Sequence, residues 1–284
     1  STMTKHKSIK SINLEAMKVK VSLIAFVLLA LTSCQKKEEP IVVTPEEFHQ
    51  SVDKVVEVMI HDIFSPPVAS RIFAYPNIAA YEIIAKKDGP YKSLAGQVTG
   101  LTSIPDPKNK ENVNYDLAAL IAHIDLSKRL IFSEERIEQY RDSLYTVWMN
   151  QNESEFNASK EYGLEVADYI AAWMNKDNYK ETRTMPKFTV NSEDPTRWQP
   201  TPPAYMNGIE PHWSKIRPFA IDSAAQFKPI PPPAFSLDKD SQFFKEVMEV
   251  YEVKKSMIGK GDKSDEIAIA QFWDCNPYVS VTRG

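Results

Sequence analysis

Glu57 and His61 stand four residues apart with Asp62 beside them, a spacing that puts metal-ligating side chains on one helical face. The apolar residues Val52, Val56, Met59 and Ile63 fall on the opposite face, so a solvated helix surface is the expected fate of this group. His123, with Asp125 and Asp116 nearby, offers a similar set. No second histidine lies at ligand spacing there, and a histidine on the flank of a helix is expected instead. The five histidines, at positions 6, 49, 61, 123 and 212, are scattered and form no His-rich metal motif. No glycine-bracketed serine elbow and no phosphate-cradling glycine loop occurs, so no local motif writes catalysis into the chain.

One residue does carry a covalent chemistry. Lys18 and Lys20 precede the apolar run 21–31, the positive-then-hydrophobic order of an export signal starting at about Met17. Eleven residues are too few to span a bilayer, which takes about 20. The run stops at Leu31-Thr32-Ser33-Cys34, and small residues before a cysteine resemble the lipobox of exported bacterial lipoproteins. Lipid on Cys34 would attach the protein to a membrane through buried methylenes; the alternative is an ordinary secretory peptide with a chance cysteine. Residues 1–33 read as leader and signal, and 34–43 as a polar tether. Its run Gln35-Lys36-Lys37-Glu38-Glu39-Pro40 also resembles the signal that sends some lipoproteins to the outer face of the outer membrane.

Removing residues 1–33 takes five of the 34 basic and one of the 38 acidic side chains, leaving 29 and 37, a formal charge of −8. Nucleic acid is excluded as a natural partner by that sign. Cys34 and Cys275 are the two cysteines, so once Cys34 is lipidated no internal disulfide can form, and Cys275 is expected as a free buried thiol. Eight glycines against 20 prolines argue against a hairpin-rich sheet protein.

The remainder, 44–284, reads as helices. Thr44-Pro45-Glu46-Glu47 starts the first, with Phe48, Val52, Val55, Val56, Met59, Ile60 and Ile63 as its stripe. Ser65-Pro66-Pro67 opens the second, with Val68, Ile72, Tyr75, Ala79 and Ile83 inward, a kink expected at Pro76 and closure by Lys86, Lys87 and a C′ glycine at Gly89. A third, from about Asn114, turns Leu117, Leu120, Ile121 and Ile124 inward, with Ile131 after it. Ser133 starts a fourth with Ile137, Tyr140, Leu144, Val147 and Trp148. Asn152 and Glu155 look like a capping box for a fifth, with Phe156, Val166, Ile170 and Trp173.

Eleven of the 20 prolines then fall between residues 175 and 236, interleaved with Phe188, Trp198, Tyr205, Trp213, Phe219, Phe227 and Phe235. So many prolines forbid a long helix, and so much apolar surface argues for an ordered wrap lying on the bundle. Ser236 and Ser264 read as the caps of a sixth and a seventh helix, the latter through Ile267, Phe272 and Trp273. The fold class is therefore all-α, about seven helices with a long proline- and aromatic-rich wrapping segment, and no internal repeat.

Several segments in order carry a resemblance: Ser65-Pro66-Pro67-Val68-Ala69-Ser70-Arg71 leading to Ala79-Ala80-Tyr81-Glu82, Arg197-Trp198-Gln199-Pro200-Thr201-Pro202-Pro203, Trp213 to Pro218-Phe219, Pro229-Ile230-Pro231-Pro232-Pro233 and Ile267-Ala268-Ile269-Ala270-Gln271-Phe272-Trp273. From about Thr44 to Gly284 they resemble the N-terminal half of bacterial lipoproteins related to vanadium-dependent haloperoxidases, in the type 2 phosphatidic acid phosphatase superfamily. The resemblance implies an all-α double bundle holding vanadate or phosphate, with a small-molecule or phosphoester substrate. Its catalytic set is a Lys seven residues before an Arg-Pro, a Ser-Gly-His, and a Ser-Arg with a His six residues after the Arg. Fixed cationic donors hold the oxyanion, one His bonds its central atom and another moves a proton.

None of that set can be placed here. Glu210 stands seven residues before Arg217-Pro218, Asn77 follows Ser70-Arg71 where the His belongs, and Ser-Gly-His is absent. In the family these motifs come after the equivalent of Trp273, so the sequence reads as the scaffold half of a cell-envelope enzyme, incomplete relative to the double bundle. Alone it is expected to be inactive, to bind no vanadate and to expose apolar stripes that invite aggregation or a partner. The rival reading is a helical surface-lipoprotein module that stacks glycans on Trp198, Tyr205 and Trp213. In a third, those aromatics simply cover the core.

Overall fold

The computed structural model describes residues 38–87, 89–202, 204–260 and 264–274. The chain divides into two units, Ser1–Pro40 and Ile41–Gly284. In the first, the described residues 38–40 are exposed and without regular structure, and Cys34 lies outside the described residues, as does Cys275. The second unit carries the fold.

Eight α-helices are found among the described residues: α1 Pro45–His61, α2 Pro66–Ala85, α3 Tyr115–Lys128, α4 Glu134–Gln151, α5 Glu153–Met174, α6 Tyr179–Thr182, α7 Gln242–Met257 and α8 Asp265–Trp273. A 3-10 turn covers Trp213–Lys215, and the sole bridge among the described residues joins Ala95 and Val98. The seven expected helices are all present. The eighth, α6, is a single turn inside the proline-rich stretch.

Local chemistry explains the helix boundaries. Thr44 and Glu47 form a full capping box on α1, with Thr44 Oγ1 accepting from the Glu47 amide (3.2 Å) and the Glu47 carboxylate accepting from the Thr44 amide (2.7 Å). At its other end Ile63 sits at φ +56° while the Phe64 amide donates to Met59 O and the Ile63 amide to Ile60 O. This is a Schellman stop with a β-branched residue in the place glycine usually takes. Asp62 accepts from the amides of Phe132 and Ser133 and from the Ser133 hydroxyl, tying the end of α1 to the start of α4.

The box expected at Asn152 is half formed. Asn152 accepts from the Glu155 amide (3.0 Å), but the Glu155 carboxylate turns away to the Ile41 amide (2.7 Å) and the Asn114 side chain (3.0 Å). Asn114 caps α3 at the same point, and its amide nitrogen donates to Ser159 Oγ. One polar knot thus fixes the start of α3, the first turns of α5 and the segment entering α1.

The α3 helix is the centre of the unit. Every residue from Leu117 to Ser127 is buried. Leu117, Leu120, Ile121 and Ile124 face a core shared with α1, α2 and α4, while Ala118, Ala119, Ala122 and Leu126 face a second core built with α2 and α5. The small residues on the second side allow close approach. A Cβ at Gly163 of α5 would lie 2.6 Å from Ala118 O and 3.1 Å from Ile121 Cγ2. Helix α2 runs unbroken through Pro76, and the Asn77 side chain donates to Phe73 O (2.8 Å).

Other expectations shift. Ile60, Ile63 and Val147 are half or more exposed, because the buried face of α1 is set by Ser51, Val55, Val58 and Met59, and α4 buries only Ile137 and Trp148. Gly89 is not the C′ residue, since α2 ends at Ala85 with Lys86 as its C-cap, and the Lys86 and Lys87 amides close it onto the Ile83 and Ile84 carbonyls. Ser241, accepting from the Phe244 amide, caps α7 in place of Ser236, whose hydroxyl accepts instead from the Asp238 amide. The proline-rich stretch lies on the bundle less than expected: Phe219 and Trp213 pack against it, but Phe227 is 76% exposed and Phe188 packs on Trp198. Helices α7 and α8 contain no buried residue, and Phe272 and Trp273 are 80% and 77% exposed.

Candidate functional site

The apolar stripe of α2 carries an arginine. Arg71 falls between Val68 and Ile72 on the buried face, its side chain 8% exposed. A buried guanidinium is tolerated only with a partner, and Asp177 supplies it across 2.7 Å from Nε to Oδ2. Tyr75, one turn further along α2, donates its hydroxyl to the same oxygen (2.8 Å), and Oδ1 accepts from the Tyr179 amide that begins α6 (2.9 Å). Asp177 sits in the turn after α5, followed by Asn178 at φ +72°, which sends the chain sharply into α6.

The proline-rich stretch closes over this pair. The Arg217 amide donates to Asp177 O (2.9 Å), while its guanidinium donates to Trp173 O (3.1 Å) and to the Tyr75 hydroxyl (3.2 Å) and lies 4.4 Å from the Trp173 ring. Two positions on, Phe219 O accepts from both the amide and the hydroxyl of Thr99. Arg71 itself lies 4.2 Å from the Tyr179 ring, and Arg183, held by Glu210, approaches the same ring at 4.4 Å. A cavity of about 260 Å³ opens between α2 and residues 213–224, bounded by Arg71, Tyr75, Asp177, Trp213, Arg217 and Phe219 among others.

Burial, followed by the charge of Asp177, pushes the Tyr75 phenol above its ordinary range. It therefore stays a neutral hydrogen-bond donor. The cluster holds two guanidiniums, one carboxylate and one protonated phenol. That set can fix an anion or a loop, but contains no group poised for proton transfer near neutral pH.

The residues singled out in the sequence are dispersed. Glu57 pairs with Lys54 (2.8 Å) and Arg136 (3.6 Å) on the surface, and His61 is exposed. Burial works against the charge of Asp62, but the hydrogen bonds from Ser133 and Phe132 outweigh it and hold its carboxyl below the usual range. Asp116 pairs with Lys87 and Asp125 with Arg129. His123 is not on a helix flank. It is 2% exposed, hydrogen-bonded through Nδ1 to Ser51 Oγ (2.8 Å) and packed on Phe48, because both faces of α3 are covered. Trp198 is 50% and Tyr205 61% exposed, the latter at φ +47°, whereas Trp213 is half-buried edge-on to Tyr179. Among the described residues no group of three His, Cys, Asp or Glu side chains could hold a metal ion, and no helix is long and apolar enough to cross a membrane.

Sequence reasoning missed the Arg71–Asp177 pair. Arg71 was detectable as a charge inside the stripe Val68, Ile72, Tyr75, and so was Glu82, 1% exposed, which accepts from Ser93 Oγ and the Leu94 amide. Asp177 carries no local signal, lying 106 positions from Arg71.

The helical bundle, with no strand among the described residues, is of the all-α class that the resemblance implies, and the chain is related to the vanadium-dependent haloperoxidases. One solved structure that it matches is described as that of the first bacterial vanadium-dependent iodoperoxidase, 67% identical, with a TM-score of 0.84. The match covers 86% of this chain and 59% of that one, so this chain spans under two thirds of its relative. No family model and no curated protein matches the sequence.

The family's vanadate needs a histidine beside its cationic donors, and the described residues do not fit it. The charge of Arg71 is matched by Asp177, His123 is spent on Ser51 in the core, and His212 Nε2 is bonded to Pro186 O (2.6 Å).

Proposed function

We propose that this chain is the helical scaffold part of a vanadium-dependent haloperoxidase-like enzyme of the cell envelope, tethered through lipid on Cys34 to the outer membrane. The observation that supports it is the 67% identity to a vanadium-dependent iodoperoxidase, carried over a TM-score of 0.84. In this reading vanadate and peroxide oxidise a halide in the whole protein, and the oxyanion-binding residues are supplied by sequence other than residues 1–284. A phosphatase-like parent acting on a phosphoester is the related outcome. The identity to an iodoperoxidase favours the peroxidase.

The test has two arms. The chain alone, given vanadate, peroxide and iodide, or a phosphomonoester, is expected to give no turnover. Mixing it with the part of the iodoperoxidase that it does not match is expected to restore iodide oxidation. Turnover by the chain alone would remove the scaffold reading. Failure of the mixture, with glycan capture by the chain that is lost in Trp198→Ala, would replace it by the binding-module reading. Lipid anchoring is checked separately by mass spectrometry of the N-terminal peptide, and Cys34→Ala is expected to release the protein from membranes.

A further inference from the structure

We propose that the 260 Å³ cavity between α2 and residues 213–224 binds a small organic carboxylate, its anionic head on Arg217 and Arg71 and its apolar body against Ile216, Phe219 and Ile221.

Charge is the first support. Arg71 is matched by Asp177, whose two oxygens are both engaged, Oδ2 by Arg71 and Tyr75 and Oδ1 by the Tyr179 amide. Among the described residues Arg217 has no such match. Among the described residues its hydrogen bonds go to a carbonyl and a phenol, both neutral, and its Nε is buried without a partner. A partly buried guanidinium with no anion is costly unless something else brings the negative charge. Each guanidinium carries five N–H donors. Arg71 spends its Nε on Asp177 and Arg217 spends one donor from each terminal nitrogen, so among the described residues both guanidiniums have donors left over, and both residues line the cavity.

Shape and lining select among anions. An inorganic oxyanion bears oxygens on every side and would strand some against Ile216, Phe219 and Ile221, whereas a carboxylate presents its charge at one end. Size permits an aromatic body, since an apolar cavity of about 150 Å³ already takes benzene. The walls are also fixed in advance, by the Arg217 amide on Asp177 O and by the two Thr99 hydrogen bonds to Phe219 O, so little ordering is left for the ligand to cause. The absence of a histidine from this cluster separates the site from the family's vanadate chemistry.

The probe is benzoate, titrated into the 284-residue chain and followed by calorimetry and by tryptophan fluorescence, because Trp213 lines the cavity and Trp173 packs on Arg217. Saturable binding in the millimolar range or tighter is expected, weaker by about tenfold or more for benzyl alcohol and for Arg217→Gln, as loss of a charge-assisted pair requires. Inorganic phosphate is expected to bind more weakly than benzoate. Ile221→Trp fills the cavity without touching a charge and is expected to abolish binding, which keeps the test decisive if Arg217→Gln fails to fold by circular dichroism. The proposal is overturned by no saturable benzoate binding, by equal binding of benzyl alcohol, by a folded Arg217→Gln that binds as well as the parent, by a folded Ile221→Trp that still binds, or by phosphate binding tighter than benzoate.

Discussion

Lowering the pH is expected to unfold this bundle partly through one core residue. Burial alone pushes His123 down to about 4 from an ordinary 6.5, and the groups touching it, Ser51 and Phe48, are uncharged. The folded chain therefore keeps the imidazole neutral where the unfolded chain protonates it. Its contribution is whole above pH 6.5, falls as the pH drops through the window to about 4, and changes no further once both states are protonated. At 1.36 kcal/mol for each pKa step, the loss between pH 7 and pH 4 is about 3 kcal/mol, a large share of a domain's stability. Carboxylates titrate in the same range, so the measurement is a difference. Urea unfolding of the parent and of His123→Gln, followed by circular dichroism across that range, should show the parent losing about 3 kcal/mol more than the variant. Parallel profiles would refute the reasoning, as would an imidazole titrating near 6.5 by NMR in the folded chain.

Gly163→Ala drives a methyl to 2.6 Å from Ala118 O, backbone that cannot move aside, and is expected to lower stability by about 2–3 kcal/mol in denaturant unfolding. Asp177→Ala leaves Arg71 buried without its counter-charge and should cost about 3–5 kcal/mol, with faster proteolysis of residues 213–221 as a second readout. Ile63→Gly relieves a β-branched residue at φ +56° on an exposed corner and is expected to raise stability by about 1 kcal/mol, read as an increase in melting temperature.

The helices were legible because their ends are written in short-range chemistry. Thr44, Asn152 and Ser264 cap the helices they were expected to cap, and Asn114, near which the third helix was expected to begin, caps it. What escaped depends on partners far along the chain. Leu117 and Ile121 were legible as an inward face, but Ala118 and Ala122 were not, because alanine looks the same on a wet face as against Gly163. The same burial on both sides turned His123 from a flank residue into a core one. Glu155 has the sequence of a capping-box acid, yet the Ile41 amide competes for its carboxylate and wins. The candidate site was the least legible, since Arg71 gives a sign within its own stripe whereas Asp177 and Arg217 join it only through the turn after α5 and the strap.

The enclosure of α3 also constrains the order of folding. A fourteen-residue helix without a polar stripe is marginal by itself in water, so α3 cannot form first and wait for its neighbours. Its two apolar sides must be covered in one event by helices from both ends of the sequence, α1 and α2 before it and α4 and α5 after it. Amides from Leu117 to Ser127 should then exchange with solvent only when the whole bundle opens, as a single slow class.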